Sequence, residues 1–123
     1  MLDTTALLAI WFGEPGADAV KALLPRAQVS AVNLSEALAK YVAKRNSLAD
    51  AEAEFAGSGL EVAPFDQALA IDAAAIKARH PAANLSFADR ACLALALQIG
   101  AIAVTSDKEW STLPGLGAVE QFR

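Results

Sequence analysis

The run from Asn84 to Trp110, N-L-S-F-A-D-R-A-C-L-A-L-A-L-Q-I-G-A-I-A-V-T-S-D-K-E-W, leaves the chain little choice of local structure. Ser86 followed by Asp89 has the spacing of a capping box, the apolar stretch through Ile99 has helical length, and Gly100 can end it. Ala101 to Val104 then reads as a short buried strand whose carboxyl end runs into Thr105-Ser106-Asp107. Ser106 and Glu109 predict a second capping box, for a short helix that holds Trp110. Asp89 and Asp107 therefore stand at helix N-termini, at opposite ends of one apolar block. An apolar helix feeding a buried strand points to a parallel sheet covered by helices.

The rest of the chain repeats this alternation. Met1-Leu2 is the stub of a first strand ending at Asp3-Thr4-Thr5, and Ala6 to Phe12 is an apolar helix closed by the turn Gly13-Glu14-Pro15-Gly16. Asp18 to Leu24 predicts a short helix stopped by Pro25, and Gln28 to Ala31 a second strand. Asn33 reads as the N-cap of a third helix, with Leu34, Leu38, Tyr41 and Val42 on one face and Lys40, Lys44 and Arg45 away from it. Ser47 can cap a helix carrying Leu48, Ala51 and Phe55, ended by Gly57-Ser58-Gly59. Leu60 to Ala63 reads as a third strand. Pro64-Phe65-Asp66 opens a helix through about Ala78, and Lys77 to Ala83 reads as a loop with His80 before Pro81. Beyond Trp110, Leu113 to Gly117 is a loop and Ala118 to Phe122 an edge strand. The expected fold is α/β: one domain over residues 1–123, a three-layer α/β/α sandwich around a mainly parallel sheet of four or five strands.

A chain of 123 residues that is 55% hydrophobic can build one such core. Its apolar runs are broken well short of the ~18 residues a membrane span needs, and Met1 leads straight into strand-like sequence, so a soluble, cytoplasmic protein is expected. A net charge of −4 and a pI of about 4.8 speak against holding nucleic acid by a broad basic surface. Cys92 is the one cysteine and lies within the apolar helix, where it reads as buried filler.

In parallel α/β sheets ligands bind outside the carboxyl ends of the strands. Asp3 and Asp107 leave strand ends directly, Glu36 follows a strand by five residues and Asp89 heads a helix, so all four can converge there. Each acid singly has a plainer role. Asp89 and Glu36 read as the N3 residues of capping boxes, where the helix dipole favours an acid by about 0.3–1 kcal/mol. Asp66 also stands between a strand and a helix, and serves as an internal control. As a group the four differ, because two like charges about 4 Å apart repel by about 4 kcal/mol at an effective dielectric near 20. Such a cluster needs a cation or partial protonation. Oxygen-only donors suit Mg²⁺, with Mn²⁺ able to substitute, and no His and Cys pattern suits zinc. Metal ions among carboxylates serve in-line displacement at phosphorus, so phosphodiester hydrolysis is the expected chemistry.

Four motifs in order, M-L-D-T-T-A-L-L-A at the start, S-A-V-N-L-S-E-A-L at Ser30 to Leu38, L-S-F-A-D-R-A-C-L-A-L-A at Leu85 to Ala96 and T-S-D-K-E-W at Thr105 to Trp110, resemble those of PIN-domain ribonucleases of the VapC toxin type. The resemblance runs from Met1 to about Trp110. It implies a PIN-like fold and a Mg²⁺-dependent endoribonuclease, the toxin of a toxin-antitoxin pair, with Asp3, Glu36, Asp89 and Asp107 as the catalytic metal-binding set. Thr5 and Thr105 match the supporting hydroxyls, and Asp66 matches no catalytic position. The resemblance also implies an RNA substrate, a cognate antitoxin and a homodimer. Trp11, Phe12 and the helix pair from Asn33 to Phe55 are candidate contact surfaces, with core packing as the plainer role. Lys40, Lys44, Arg45, Arg79 and Arg90 are candidates for RNA phosphates. One departure is the first strand, where only Met1 and Leu2 precede Asp3, a shortened edge beside the site.

Two other readings share these features. A receiver-like Mg²⁺-binding phosphorylation module has similar length and architecture, but calls for paired acids after the first strand, where this chain has Asp3 and two threonines. A catalytically idle PIN-like binding module would be expected to lack one of the acids, and all four are present.

Overall fold

In the computed structural model, which describes all residues from Met1 to Arg123, the N-terminal strand sits at the centre of the sheet. Leu2 alone forms parallel bridges to Val29 on one side and Val104 on the other. The Leu2 amide donates to the Gln28 carbonyl at 2.8 Å, and the Asp3 amide to the Val104 carbonyl at 3.0 Å. Strand β1 (Gln28–Ser30) pairs in parallel with β2 (Glu61–Ala63), and β3 (Ala103–Thr105) with β4 (Val119–Gln121). The order across the sheet is therefore β2, β1, the Leu2 segment, β3, β4, all parallel. The short first strand is not an edge. It joins the two halves of the sheet.

The helices are α1 (Thr4–Phe12), α2 (Ala17–Lys21), α3 (Ala31–Arg45), α4 (Leu48–Ser58), α5 (Gln67–Arg79) and α6 (Phe87–Ile99). Short 3₁₀ turns cover Leu24–Arg26 and Lys108–Thr112. Successive strand residues point to opposite faces, and the two cores follow that alternation. Met1 and Ala103 join Leu69, Ile76, Leu93 and Trp110 under α5 and α6. Leu2 and Val104 join Leu7, Val20, Val29 and Tyr41 under α1 to α4. The result is the three-layer α/β/α sandwich that the alternating sequence predicts. No helix is long and apolar enough to cross a membrane.

Where the chain carries its own local stop and start signals, sequence and structure agree. Ser86 and Asp89 form the reciprocal capping box of α6, and Gly100 ends that helix in the left-handed region at φ 67°. Asp66 caps α5 by accepting from the Leu69 amide at 2.9 Å, and Ser47 caps α4. Cys92 is fully buried in α6, and burial pushes its thiol well above the ordinary range.

Several boundaries differ from the sequence reading: α2 ends at Lys21, and Pro25 lies within the following 3₁₀ turn instead of stopping the helix. Ser30, not Asn33, is the N-cap of α3, accepting from the Asn33 amide at 3.0 Å. Glu36 consequently lies in the second turn and is no capping residue. The second predicted capping box does not form either: Asp107 caps the 3₁₀ turn through the Glu109 amide, and the Glu109 carboxylate instead accepts from the Asn84 amide. Helix α5 runs on to Arg79, through the first part of the expected loop.

Leu2 is fully buried and links both half-sheets. Leu2→Ala is expected to cost about 2–5 kcal/mol. Urea denaturation of the two proteins checks this, and an unchanged midpoint would contradict the central role of the segment.

Candidate functional site

Three neighbouring strand ends, Ser30, Asp3 and Thr105, reach the same rim of the sheet, and each runs directly into a helix or turn. Asp3 sits at the N-cap position of α1 without closing a side-chain capping bond. The residue is buried, only 1% exposed. The Thr5 and Thr105 hydroxyls each donate to its Oδ2 at 2.9 Å, and Asn33 Nδ2 donates to its Oδ1 at 3.2 Å. Both hydroxyls have a fixed sense, because Thr5 Oγ1 accepts from the Ser106 amide and Thr105 Oγ1 from the Asp107 amide. Their own protons are thereby left for Asp3.

Asn33 has the same enforced polarity. Ser30 Oγ donates to its Oδ1, so its amide nitrogen must face Asp3 and Thr4, whose hydroxyl accepts the second proton at 3.1 Å. The sequence reading took Asn33 only as a cap and missed this role. The available signal was Ser30 three residues earlier, the spacing that places a cap's partner at N3.

Burial raises the pKa of Asp3, against the opposing pull of the Thr105 and Thr5 hydroxyls, with lesser help from the Thr4 and Thr5 amides. Asp89 is pushed up to about 6, chiefly by burial. Its bond from the Ser86 amide opposes the rise, and the negative charges of Asp3 and Asp107 add to it. Asp89 and Asp107 are thus close enough for their charges to be felt as one site.

A cavity of about 310 Å³ opens over this rim. Asp3, Glu36, Asp89 and Asp107 all line it, together with Thr5, Asn84 and Lys40. As they stand, no three of the acids are gathered tightly enough to enclose an ion. Each is held by another partner: Glu36 by Lys40 Nζ at 3.6 Å, Asp89 by the Ser86 amide at 2.8 Å, and Asp107 by the Glu109 amide at 2.9 Å. Four carboxylates in one cavity, with hydroxyl oxygens behind them, match a hard, oxygen-seeking divalent ion. Asp3 Oδ2 accepts the two hydroxyls and Oδ1 the Asn33 amide, so donors from three elements fix the carboxylate.

The basic candidates separate. Lys40 lines the cavity. Lys44 and Arg45 lie over the Phe12 ring, at 4.2 and 5.5 Å from its centroid. Arg90 donates to the Ala73 carbonyl on α5, and Arg79 stands beside Asp72 in a different depression between α5 and α6. None of these four lines the acid cavity. Trp11 is buried edge-on against Tyr41, and Phe12 stacks on the same ring, so both serve the core under α1 and α3. Asp66 does not line the cavity, and its carboxylate is engaged as a cap.

The chain belongs to the PIN domain family, whose profile matches residues 1–116. That membership sets aside the receiver-like reading. The fold is shared with a chain of the VapBC2 complex of Rickettsia felis bound to a DNA fragment from its promoter, at a TM-score of 0.76 and 18% identity, covering 98% of this chain and 96% of that one. It is similar also to a chain of DNA-bound VapBC from Salmonella typhimurium, at a TM-score of 0.72 and 25% identity over 100% and 97% of the two chains. No curated protein matches the sequence.

Because Asp89 holds its proton more tightly in the folded chain than its ordinary value of 3.8, the folded state binds more protons than the unfolded state between about pH 4 and 6. Stability should fall as pH rises through that window, with Asp3 acting in the same direction. Melting curves at several pH values check this, and Asp89→Asn should flatten the dependence. A stability that rises over the same interval would contradict the assignment. Asn33→Ala removes a donor from Asp3 and leaves Thr4 Oγ1 without its amide partner, and is expected to destabilise the chain by about 1–3 kcal/mol in denaturant titration.

Proposed function

We propose that this chain is a metal-dependent endoribonuclease of the VapC toxin type, using Mg²⁺ with Mn²⁺ able to substitute. The observation that carries the reading is the convergence of Asp3, Glu36, Asp89 and Asp107, from separate elements, on one cavity at the carboxyl ends of the central strands. Asp3, Glu36 and Asp89 would hold the ion and Asp107 would support it. When bound, such an ion supplies positive charge to a phosphoryl group undergoing in-line displacement, an effect worth several kcal/mol.

The remaining work falls to residues of the chain itself. Thr5, Thr105 and Asn33 fix the orientation of the Asp3 carboxylate at the wall of the cavity. Asp89 is held at the cavity by the Ser86 amide, in place to share the ion with Asp3 and Glu36. Lys40 exchanges Glu36 for a substrate phosphate, holding the strand beside the acids. In this reading the net negative charge of the whole chain is compatible with RNA binding, because recognition is local to the site. A cognate antitoxin is the expected protein partner and a homodimer the expected assembly.

Single-turnover cleavage of cellular RNA with Mg²⁺ or Mn²⁺ tests the proposal. Asp3→Asn, Glu36→Gln and Asp89→Asn should each lose about a hundredfold or more at matched folding. Asp66→Asn should cut at the parent rate, since Asn remains a good N-cap. Cleavage that survives both Asp3→Asn and Asp89→Asn would assign the activity to another site.

A further inference from the structure

A second hollow, of about 610 Å³, adjoins the acid cavity and shares Glu36 and Ser86 with it. Its remaining wall is largely apolar, formed by Val32, Ser35 and Ala39 of α3 and by Phe87 and Ala88 at the start of α6. Phe87 is the one large side chain in that wall, and it is 51% exposed. It is nevertheless braced. Phe65 packs against it at 5.4 Å between ring centroids, and the Arg90 guanidinium lies 5.9 Å from its ring, itself tied to α5 through the Ala73 carbonyl. The α3 side of the hollow carries no side chain longer than valine apart from Glu36, so the space beside the Phe87 ring stays clear.

We infer that this hollow is a base-stacking subsite, in which Phe87 receives the base of a nucleotide adjacent to the phosphate bound at the carboxylates. The inference rests on the nuclease reading and names the kind of substrate that fits it: single-stranded RNA. Because Glu36 and Ser86 line both spaces, a strand that leaves the acid cavity across them enters the hollow. A duplex keeps its base faces stacked internally and cannot present one to Phe87, whereas an unpaired base can. Stacking on an aromatic ring is tolerant of base identity. Apart from Glu36, the two serine hydroxyls are the polar side-chain groups lining this hollow, so the subsite selects for an unpaired base more than for its sequence. An apolar protein segment would also fit an apolar wall, but the continuity with the acid cavity favours the nucleic acid.

The test measures binding separately from cleavage. Equilibrium binding of a short dye-labelled single-stranded RNA oligonucleotide is measured by anisotropy with Ca²⁺ in place of Mg²⁺ to hold back cleavage, in the otherwise unsubstituted protein, with and without Phe87→Ala or Phe87→Trp. A parallel set of oligonucleotides carries one abasic position each. Phe87→Ala should weaken binding by about tenfold, and Phe87→Trp should preserve it. One abasic position should cause the same loss, and Phe87→Ala should add nothing further to it. Melting curves confirm folding, which a half-exposed side chain permits.

If Phe87→Ala binds as tightly as its parent while the unsubstituted protein cuts RNA, the subsite is overturned and the nuclease reading stands. If the parent neither binds the oligonucleotide nor cuts RNA, both fall. If Phe87→Ala leaves RNA binding intact and changes only the sedimentation of the protein, the hollow is a face between copies and the inference is overturned.

Discussion

A single buried carboxylate governs the architecture of this chain's functional rim. Asp3 follows the central strand and has almost no contact with solvent, so its charge must be stabilised by oriented donors or lost to protonation. Those donors come from three other places: Thr5 in α1, Thr105 at the end of β3, and Asn33 in the first turn of α3. Thr5 is a local neighbour, but Thr105 and Asn33 reach Asp3 because the Leu2 segment lies between β1 and β3. The sheet order and the site are thus a single requirement. The network also has a direction, because backbone amides and Ser30 occupy the acceptor positions of the side chains that donate to Asp3. A network whose polarity is imposed from behind does not reverse when a ligand enters.

The other three carboxylates are held more loosely, and the difference bears on how the site works. Glu36, Asp89 and Asp107 each have one partner within the chain: a lysine ammonium in one case and a backbone amide in the other two. The exposed Glu36–Lys40 pair is the weakest of these, since surface ion pairs contribute about 0–1 kcal/mol. Glu36 is therefore the most readily redirected of the acids. Asp89 is the most constrained, because its carboxylate also completes the capping box that starts α6. That residue both caps α6 and lines the acid cavity.

What could be read from sequence was chiefly what local chemistry specifies. The Ser86/Asp89 box, the Gly100 stop and the Asp66 cap depend on residues within a few positions of each other, and each appears where the sequence puts it. The alternation of apolar segments likewise fixed the layer order. The start of α3 was misread because Ser30 and Asn33 are both good caps. The choice between them depends on Asp3 and Thr4, thirty residues away, which draw the Asn33 side chain inward. The central place of Leu2 was hidden for a related reason. A one-residue bridge has no periodicity, and its position depends on pairing with two strands distant in the chain. The convergence of the four acids was anticipated from strand ends, whereas their separate engagements with Lys40, Ser86 and Glu109 required coordinates.

Cys92 has so far appeared only as filler, yet its placement gives the molecule a built-in reporter. It lies in the middle of α6, the helix that begins with Asp89, and is completely enclosed by the core against α5. Burial and the nearby negative charge of Asp3 both suppress its thiolate, so the closed molecule offers nothing for an alkylating reagent to attack. Modification must wait for the helix to lift from its bed. With no second sulfhydryl in the chain to confuse the count, the pace of labelling becomes a clock for the opening of the one helix that carries both a wall of the site and the centre of the core.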